Sequence, residues 1–226
     1  MEFSITLVLV VITCAVSISA FSNSRIMDDL IFYPPAISER RQYYRFITHG
    51  FIHANVAHLA FNMVALYSFG TLLEGTFTMD CVFGSLGKAL YLLLYFAGLV
   101  IASLPDYLRY RDSYHFRSLG ASGAVSAIIF ATIVIFPHSP ISFFFLPVRI
   151  PGYIFGLFYL GISVYLDRRG GGHVNHSAHF WGAAFGIVFT LVCCQFLAQG
   201  FNAYENFMHQ LHTSNDDIVV PCDFGP

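Results

Sequence analysis

Three groups of residues in this chain have the types and spacing for chemistry. The first is His58-Leu59-Ala60-Phe61-Asn62. An i, i+4 spacing puts His58 and Asn62 on one helix face, a turn apart. Imidazole and carboxamide both donate hydrogen bonds, so the pair suits an oxyanion or a polar ligand, and equally suits gluing two membrane helices together. The second is Gly120-Ala121-Ser122-Gly123-Ala124. Small residues around a serine where loop passes into helix leave its hydroxyl exposed beside backbone N–H groups, the logic of the nucleophile elbow. The competing reading is close helix packing through Gly and Ala. The third is His176-Ser177-Ala178-His179-Phe180-Trp181-Gly182, with Gly186 following. Gly182 and Gly186 form a Gly-x-x-x-Gly face that admits a close neighbour, and His179 lies on that face. Alone, His179 reads as a structural hydrogen-bonder. Beside the serine group it reads as a general base, and nucleophile, base and oxyanion donors are then all available from separate helices.

The elements that must position these residues are membrane helices. Of 226 residues 56 % are apolar and only 11 % charged, against about a quarter charged in soluble domains. That excludes a soluble globular enzyme, and disorder as well. Eleven Lys and Arg at a net charge of −2 leave no basic footprint for nucleic acid. Of the five cysteines, Cys14, Cys193 and Cys194 lie in apolar runs, without the paired spacing of a disulfide framework or zinc knuckle. No Asp, Glu, Lys or Arg occurs in 3–23, 46–73, 89–105, 118–148, 150–166 or 170–204. With about 20 helical residues per crossing, the expected fold is an all-α membrane protein of six spans, near 3–21, 58–73, 89–104, 120–136, 152–166 and 178–199. The second and fifth are short, which calls for local thinning or non-helical backbone at depth. The first span could be a signal peptide ending at Ser17-Ile18-Ser19-Ala20, but its flank carries Glu2 and no Lys or Arg. It is read as a retained helix. The long segment 22–57, rich in aromatics and Arg, suits the membrane interface. Residues 1–200 are expected to form the helical domain and 201–226 a loose polar tail.

On these residues the sequence resembles the rhomboid family of intramembrane serine proteases. The match comprises Arg45, His53, His58-x-x-x-Asn62, Gly120-x-Ser122-Gly123 and Ala178-His179-x-x-Gly182-x-x-x-Gly186, in the family's order. The resemblance, to the bacterial type with a six-helix core, implies a bundle whose fourth helix begins inside, at the floor of a water-filled cavity. It implies Ser122 as nucleophile and His179 as general base, a dyad with no Asp. The oxyanion site it implies combines the Ser122 backbone N–H with the His58 and Asn62 side chains. Gly120, Gly123, Gly182, Gly186, His53 and Arg45 are then supporting residues, and Glu74 matches a structural acid. Two positions depart from the family pattern. The aromatic ring it often places one turn after the serine, against which the histidine stacks, is Ser126 here. The Trp-Arg pair of its first loop is Tyr44-Arg45. If His179 simply lacks a ring, Ser126→Tyr should leave activity intact or raise it.

The function expected is cleavage of transmembrane segments of other proteins, which must unwind locally before a carbonyl is exposed. The partners expected are such substrates and the bilayer, with no nucleic acid, metal or cofactor. A non-catalytic rhomboid-like membrane chaperone, or a transporter, is one alternative. A di-iron desaturase or hydroxylase is the other, since His49-x-x-x-His53 and His173-x-x-His176-x-x-His179 loosely imitate histidine boxes. No His-Glu-x-x-His occurs to support a zinc protease. The resemblance implies a multi-pass protein of the cell membrane with both termini cytoplasmic. The charge bias points the other way: Arg25, Arg40, Arg41, Arg45, Arg109, Arg111, Arg117, Arg168 and Arg169 would then all lie outside. Internal bonding of the first-loop arginines would remove that conflict.

Overall fold

The structure, a computed structural model, describes residues 4–143, 146–169 and 175–213. It is mostly helical. In chain order the helices are α1 (Ile5–Ser22), α2 (Ser24–Leu30), α3 (Pro34–Arg40), α4 (Arg45–Thr48), α5 (Val56–Phe77), α6 (Gly87–Tyr110), α7 (Ser122–Ile135), α8 (Gly152–Arg169), α9 (His176–Leu197) and α10 (Ala203–His212). Among the described residues four stretches are long and apolar enough to cross a bilayer: Ile5–Ser22, Val56–Phe77, Gly84–Tyr110 and His176–Leu197. Helix α7 is apolar but has 14 residues, about 21 Å at 1.5 Å per residue.

A helix overlies each of the six expected segments, four of them meeting the length and hydropathy of a span, and the helix ends differ from the expected bounds for identifiable reasons. Glu74, taken as a boundary because it is charged, lies inside α5. Its carboxylate reaches the start of α1, accepting from the Ile5 N–H (2.7 Å), the Thr6 N–H (2.9 Å) and the Ser4 hydroxyl (3.0 Å). The unpaired N–H groups of one helix end thus satisfy a carboxylate on another, which lets a charge stay in the helix. Asn55 caps α5 by accepting from the His58 N–H, so the second span is full length rather than short. Helix α6 runs through Pro105 and Asp106 to Tyr110. Between α7 and α8 stands an antiparallel pair of strands, Pro140–Phe143 with Leu146–Pro151, which the apolar pattern did not announce.

Helix α7 is the axis of the core. Every residue from Gly123 to Ile135 is buried, as a helix apolar on all sides requires, with α5, α6 and α9 packed around it. Its C-terminal end is held by α10, part of the tail expected to be loose. The Ile135 carbonyl accepts from Asn206 Nδ2 (2.8 Å) and Gln210 Nε2 (3.2 Å). Residues 214–226 of that tail lie outside the described residues. Cys14, Cys193 and Cys194 are free thiols, while Cys81, after α5, is disulfide-bonded, which the cysteine spacing did not signal.

The segment between α1 and α5 is built from short helices tied down by Arg45. This side chain is buried and donates to the carbonyls of Asp28 (2.9 Å) and Ile31 (2.7 Å) and to Gln42 Oε1 (2.7 Å). Arg117 pairs with Asp28 at 3.2 Å and lies over the Tyr33 ring. Arg45 thus bonds within the first loop, and Arg117 ties the segment before α7 to it.

Candidate active site

Ser122 is the first residue of α7, and what precedes it is pinned from several sides. Phe32 and Ser118 exchange backbone hydrogen bonds of 3.0 and 3.1 Å, and the Gly120 N–H donates to the His49 carbonyl (2.9 Å). Gly120 has φ +112°, a conformation that other residues rarely adopt. A Cβ there would also lie 2.9 Å from His58 Nε2. Glycine at 120 therefore serves both the turn and the imidazole beside it.

His53 closes the same region. Its Nε2 accepts from the Ala121 N–H (3.4 Å) and its Nδ1 is 2.9 Å from the Ser17 hydroxyl, which donates to the Phe51 carbonyl. With Nε2 accepting, Nδ1 carries the proton, and the chain runs His53 to Ser17 to Phe51. It joins α1 to the turn before α7. Burial, reinforced by the neighbouring histidines His58 and His49, lowers the pKa of His53 to about 3. Burial lowers that of His49 to about 4. Both imidazoles are neutral at physiological pH; His53 is the hydrogen-bonded one, while neither ring nitrogen of buried His49 meets a partner among the described residues.

The α7–α9 seam brings the other half of the site. A Cβ on Gly182 would overlap the Gly123 carbonyl, and one on Gly186 would overlap the Ala127 carbonyl. The two helices touch backbone to backbone, the close approach a Gly-x-x-x-Gly face permits. Gly123 also faces the Ala178 carbonyl. Ser122 and His179, the residues adjoining Gly123 and Ala178, thus lie within a turn of one contact. Each is half-buried. Among the described residues no hydrogen bond joins the Ser122 hydroxyl to His179; such pairs are often long before substrate binds.

His58 and Asn62 share a face of α5, as expected. The Ala54 N–H donates to His58 Nδ1 at 3.5 Å, leaving Nε2, the atom beside Gly120, to carry the proton. Asn62 is buried and donates to the His58 carbonyl at 3.0 Å. One N–H of its amide remains for a ligand.

Two features escaped the sequence reading. Asn175 Nδ2 donates to buried Asp106 on α6 (2.6 Å) and to the Ser118 hydroxyl (3.0 Å), while its Oδ1 accepts from the Ala178 N–H (3.0 Å). One side chain therefore ties the starts of α7 and α9 to α6. The second is Tyr159 of α8. Its ring stacks on His179, with centroids 5.9 Å apart and planes at 22°, and its hydroxyl is 2.6 Å from that of Ser126. His179 does have an aromatic support, from a different helix than expected.

Among the described residues no group of three or more His, Cys, Asp or Glu side chains is arranged to hold a metal ion; His173 of the histidine-box alternative lies outside them.

A helical membrane protein with a serine and a histidine across one glycine seam defines the class. Its family follows from comparison: the Rhomboid domain matches residues 40–196, and the chain belongs to the rhomboid family. It is 32 % identical over 145 residues, 61 % of this chain and 43 % of the relative, to RHOMBOID-like protein 12, mitochondrial, of Arabidopsis thaliana. It is 33 % identical over 147 residues, 62 % and 38 % of the two chains, to Rhomboid protein 1, mitochondrial, of Saccharomyces cerevisiae. With the Presenilin-associated rhomboid-like protein, mitochondrial, of Rattus norvegicus it shares 25 % over 173 residues, 73 % and 42 %. The matched stretches cover about two fifths of these relatives' own lengths.

Proposed function

We propose that this protein is an intramembrane serine endopeptidase working with a Ser122–His179 dyad. The observation that supports it best is the glycine seam, which sets a serine at a helix start and a histidine within a turn of one backbone contact. His179 takes the proton from the Ser122 hydroxyl as oxygen attacks a substrate carbonyl. The proton then passes to the leaving amine, and a water activated by His179 hydrolyses the acyl-enzyme. The Ser122 N–H, His58 Nε2–H and the free N–H of Asn62 are the donors assigned to the oxyanion. No carboxylate is given a part; packing holds the imidazole instead. The six helices α1, α5, α6, α7, α8 and α9 are assigned to the membrane-embedded domain, with α2, α3 and α4 at its interface. Substrates are transmembrane segments of other proteins that unwind locally to present an amide.

The test is labelling by a fluorophosphonate probe together with cleavage of a transmembrane peptide. Both should be lost in Ser122→Ala and in His179→Ala, with non-additive effects in the double variant. Asn62→Ala should lower turnover by about 10²–10³ with little change in KM. Near-normal proteolysis by Ser122→Ala would overturn the reading in favour of a non-catalytic chaperone. The relatives named for mitochondria favour an organellar membrane over the cell membrane. A fluorescent fusion after Pro226 reports both compartment and side.

A further inference from the structure

We propose that Tyr159 of α8 is the positioning residue that sets the His179 imidazole for proton transfer, and that Ser126 is small and hydroxylated because it must admit and anchor that ring. The inference rests on the proposed dyad, which it deepens. Position 126 lies one turn after Ser122 on α7, facing the same side. A ring there would occupy the place Tyr159 now fills. The tyrosine enters from α8 instead, its plane within 22° of the histidine's, and its hydroxyl meets Ser126 at 2.6 Å. Two further contacts fix the ring: Phe130, one turn beyond Ser126, and Phe155, one turn before Tyr159 on α8, both with centroids 5.6 Å away. Ser126 itself is buried at 1 % exposure, and Tyr159 is the only partner of its hydroxyl among the described residues.

Stacking removes freedom about the imidazole's second side-chain torsion, which hydrogen bonds do not restrain here. Among the described residues neither ring nitrogen of His179 makes a hydrogen bond. A base held by a face contact keeps both nitrogens free, one for the serine and one for water. Ring misplacement of about 1 Å is enough to cost on the order of 10²-fold in rate.

The chemistry also predicts a swap. Ser126→Tyr alone puts two rings in one space, so the expectation that it is neutral or helpful is replaced by one of lost activity. Moving the ring, in Ser126→Tyr combined with Tyr159→Ala, should restore what either change alone removes.

The experiment uses the full chain in detergent, with histidine labelled by 13C and 15N, and compares wild type, Tyr159→Phe, Tyr159→Ala, Ser126→Tyr and the double variant. Two readouts are taken: the fluorophosphonate labelling rate, and the ring-proton shifts of His179, assigned by their absence in His179→Ala. Tyr159→Ala should slow labelling by about 10–100-fold and remove the ring-current displacement of the His179 signals. Tyr159→Phe, which keeps the face and loses only the hydroxyl contact, should retain the displaced signals and lose no more than a few-fold in rate. The double variant should recover both readouts relative to Tyr159→Ala. Unmoved His179 signals in Tyr159→Ala, or a double variant no better than the single ones, would overturn the proposal while leaving the dyad standing. Signals that move as expected in a wild type that never labels would instead sink the dyad and leave Tyr159 as a structural support. If Tyr159→Ala does not fold, the Phe and double variants decide the matter by the same two readouts.

Discussion

His179 lies between two regions held together by different means. On one side is the α7–α9 seam, where glycines allow carbonyl and Cα to touch and no side chain can intervene. On the other is α8, of which only Gly152, Gly156 and Ser163 are buried. Leu157, Phe158, Ile162 and Tyr165 on α8 are exposed, as lipid-facing residues are. A backbone contact sets distance with almost no tolerance, since a single methyl group is already too large. A ring contact sets orientation and leaves the carrying helix freer. The difference teaches that the two requirements of a base, to be near and to be aimed, are met here by separate elements.

The contrast can be broken most severely at Gly182. Gly182→Val should prevent assembly, because its Cβ has only the Gly123 backbone to displace; monodispersity in detergent and circular dichroism would show it. Next in size is acid. Buried His49 and His53 are neutral when folded, with pKa values lowered to about 4 and about 3, against about 6.5 in the unfolded chain. The unfolded state therefore binds more protons at low pH. Their neutral packing is fully stabilising above about pH 6.5 and is lost as pH falls towards the folded values, costing on the order of 1–3 kcal/mol for each by pH 4.5. Thermal melts from pH 7.5 to 4.5 should fall accordingly, and His53→Gln should flatten that slope. Asp106→Ala leaves Asn175 short of a partner at the head of the seam and should cost about 1–3 kcal/mol, read as a lowered Tm with α9 still helical. On the α8 side effects should be smaller. Gly156→Ala meets the Phe130 ring edge at 3.2 Å, which a side chain can accommodate for about 1 kcal/mol. Gly161→Ala meets nothing within 4 Å and should stabilise by about 0.4–1 kcal/mol. Equal sensitivity at 161 and 182 would erase the distinction between the two regions.

Much of the seam was legible in advance. Gly182 and Gly186 at a four-residue spacing announce a close neighbour, and the small residues around Ser122 make the fourth segment a fit for it. The helices were legible as gaps between charges, and their ends were misplaced where a charge is satisfied by another helix. Glu74 is the clear case, since nothing local shows that residues 5 and 6 receive its carboxylate. The Asp106–Asn175 contact is hidden for the same reason, 69 residues separating its partners. Tyr159 is one of 13 tyrosines and carries no local mark. Its role depends on which helix faces His179, a property of the tertiary arrangement. What pointed to it was a lack, the serine at 126 where a ring was expected.

The polar clasp at the end of α7 bears on when the protein becomes competent during its synthesis. Ser122 is made before the residues that complete its surroundings, so its helix has no finished environment at first. The seam needs residues 182 and 186, and the Ile135 carbonyl waits for Asn206 and Gln210. Until those arrive, the C-terminal end of α7 is open and only its α5 and α6 sides are packed. The nucleophile of the proposed dyad is therefore made early and armed late.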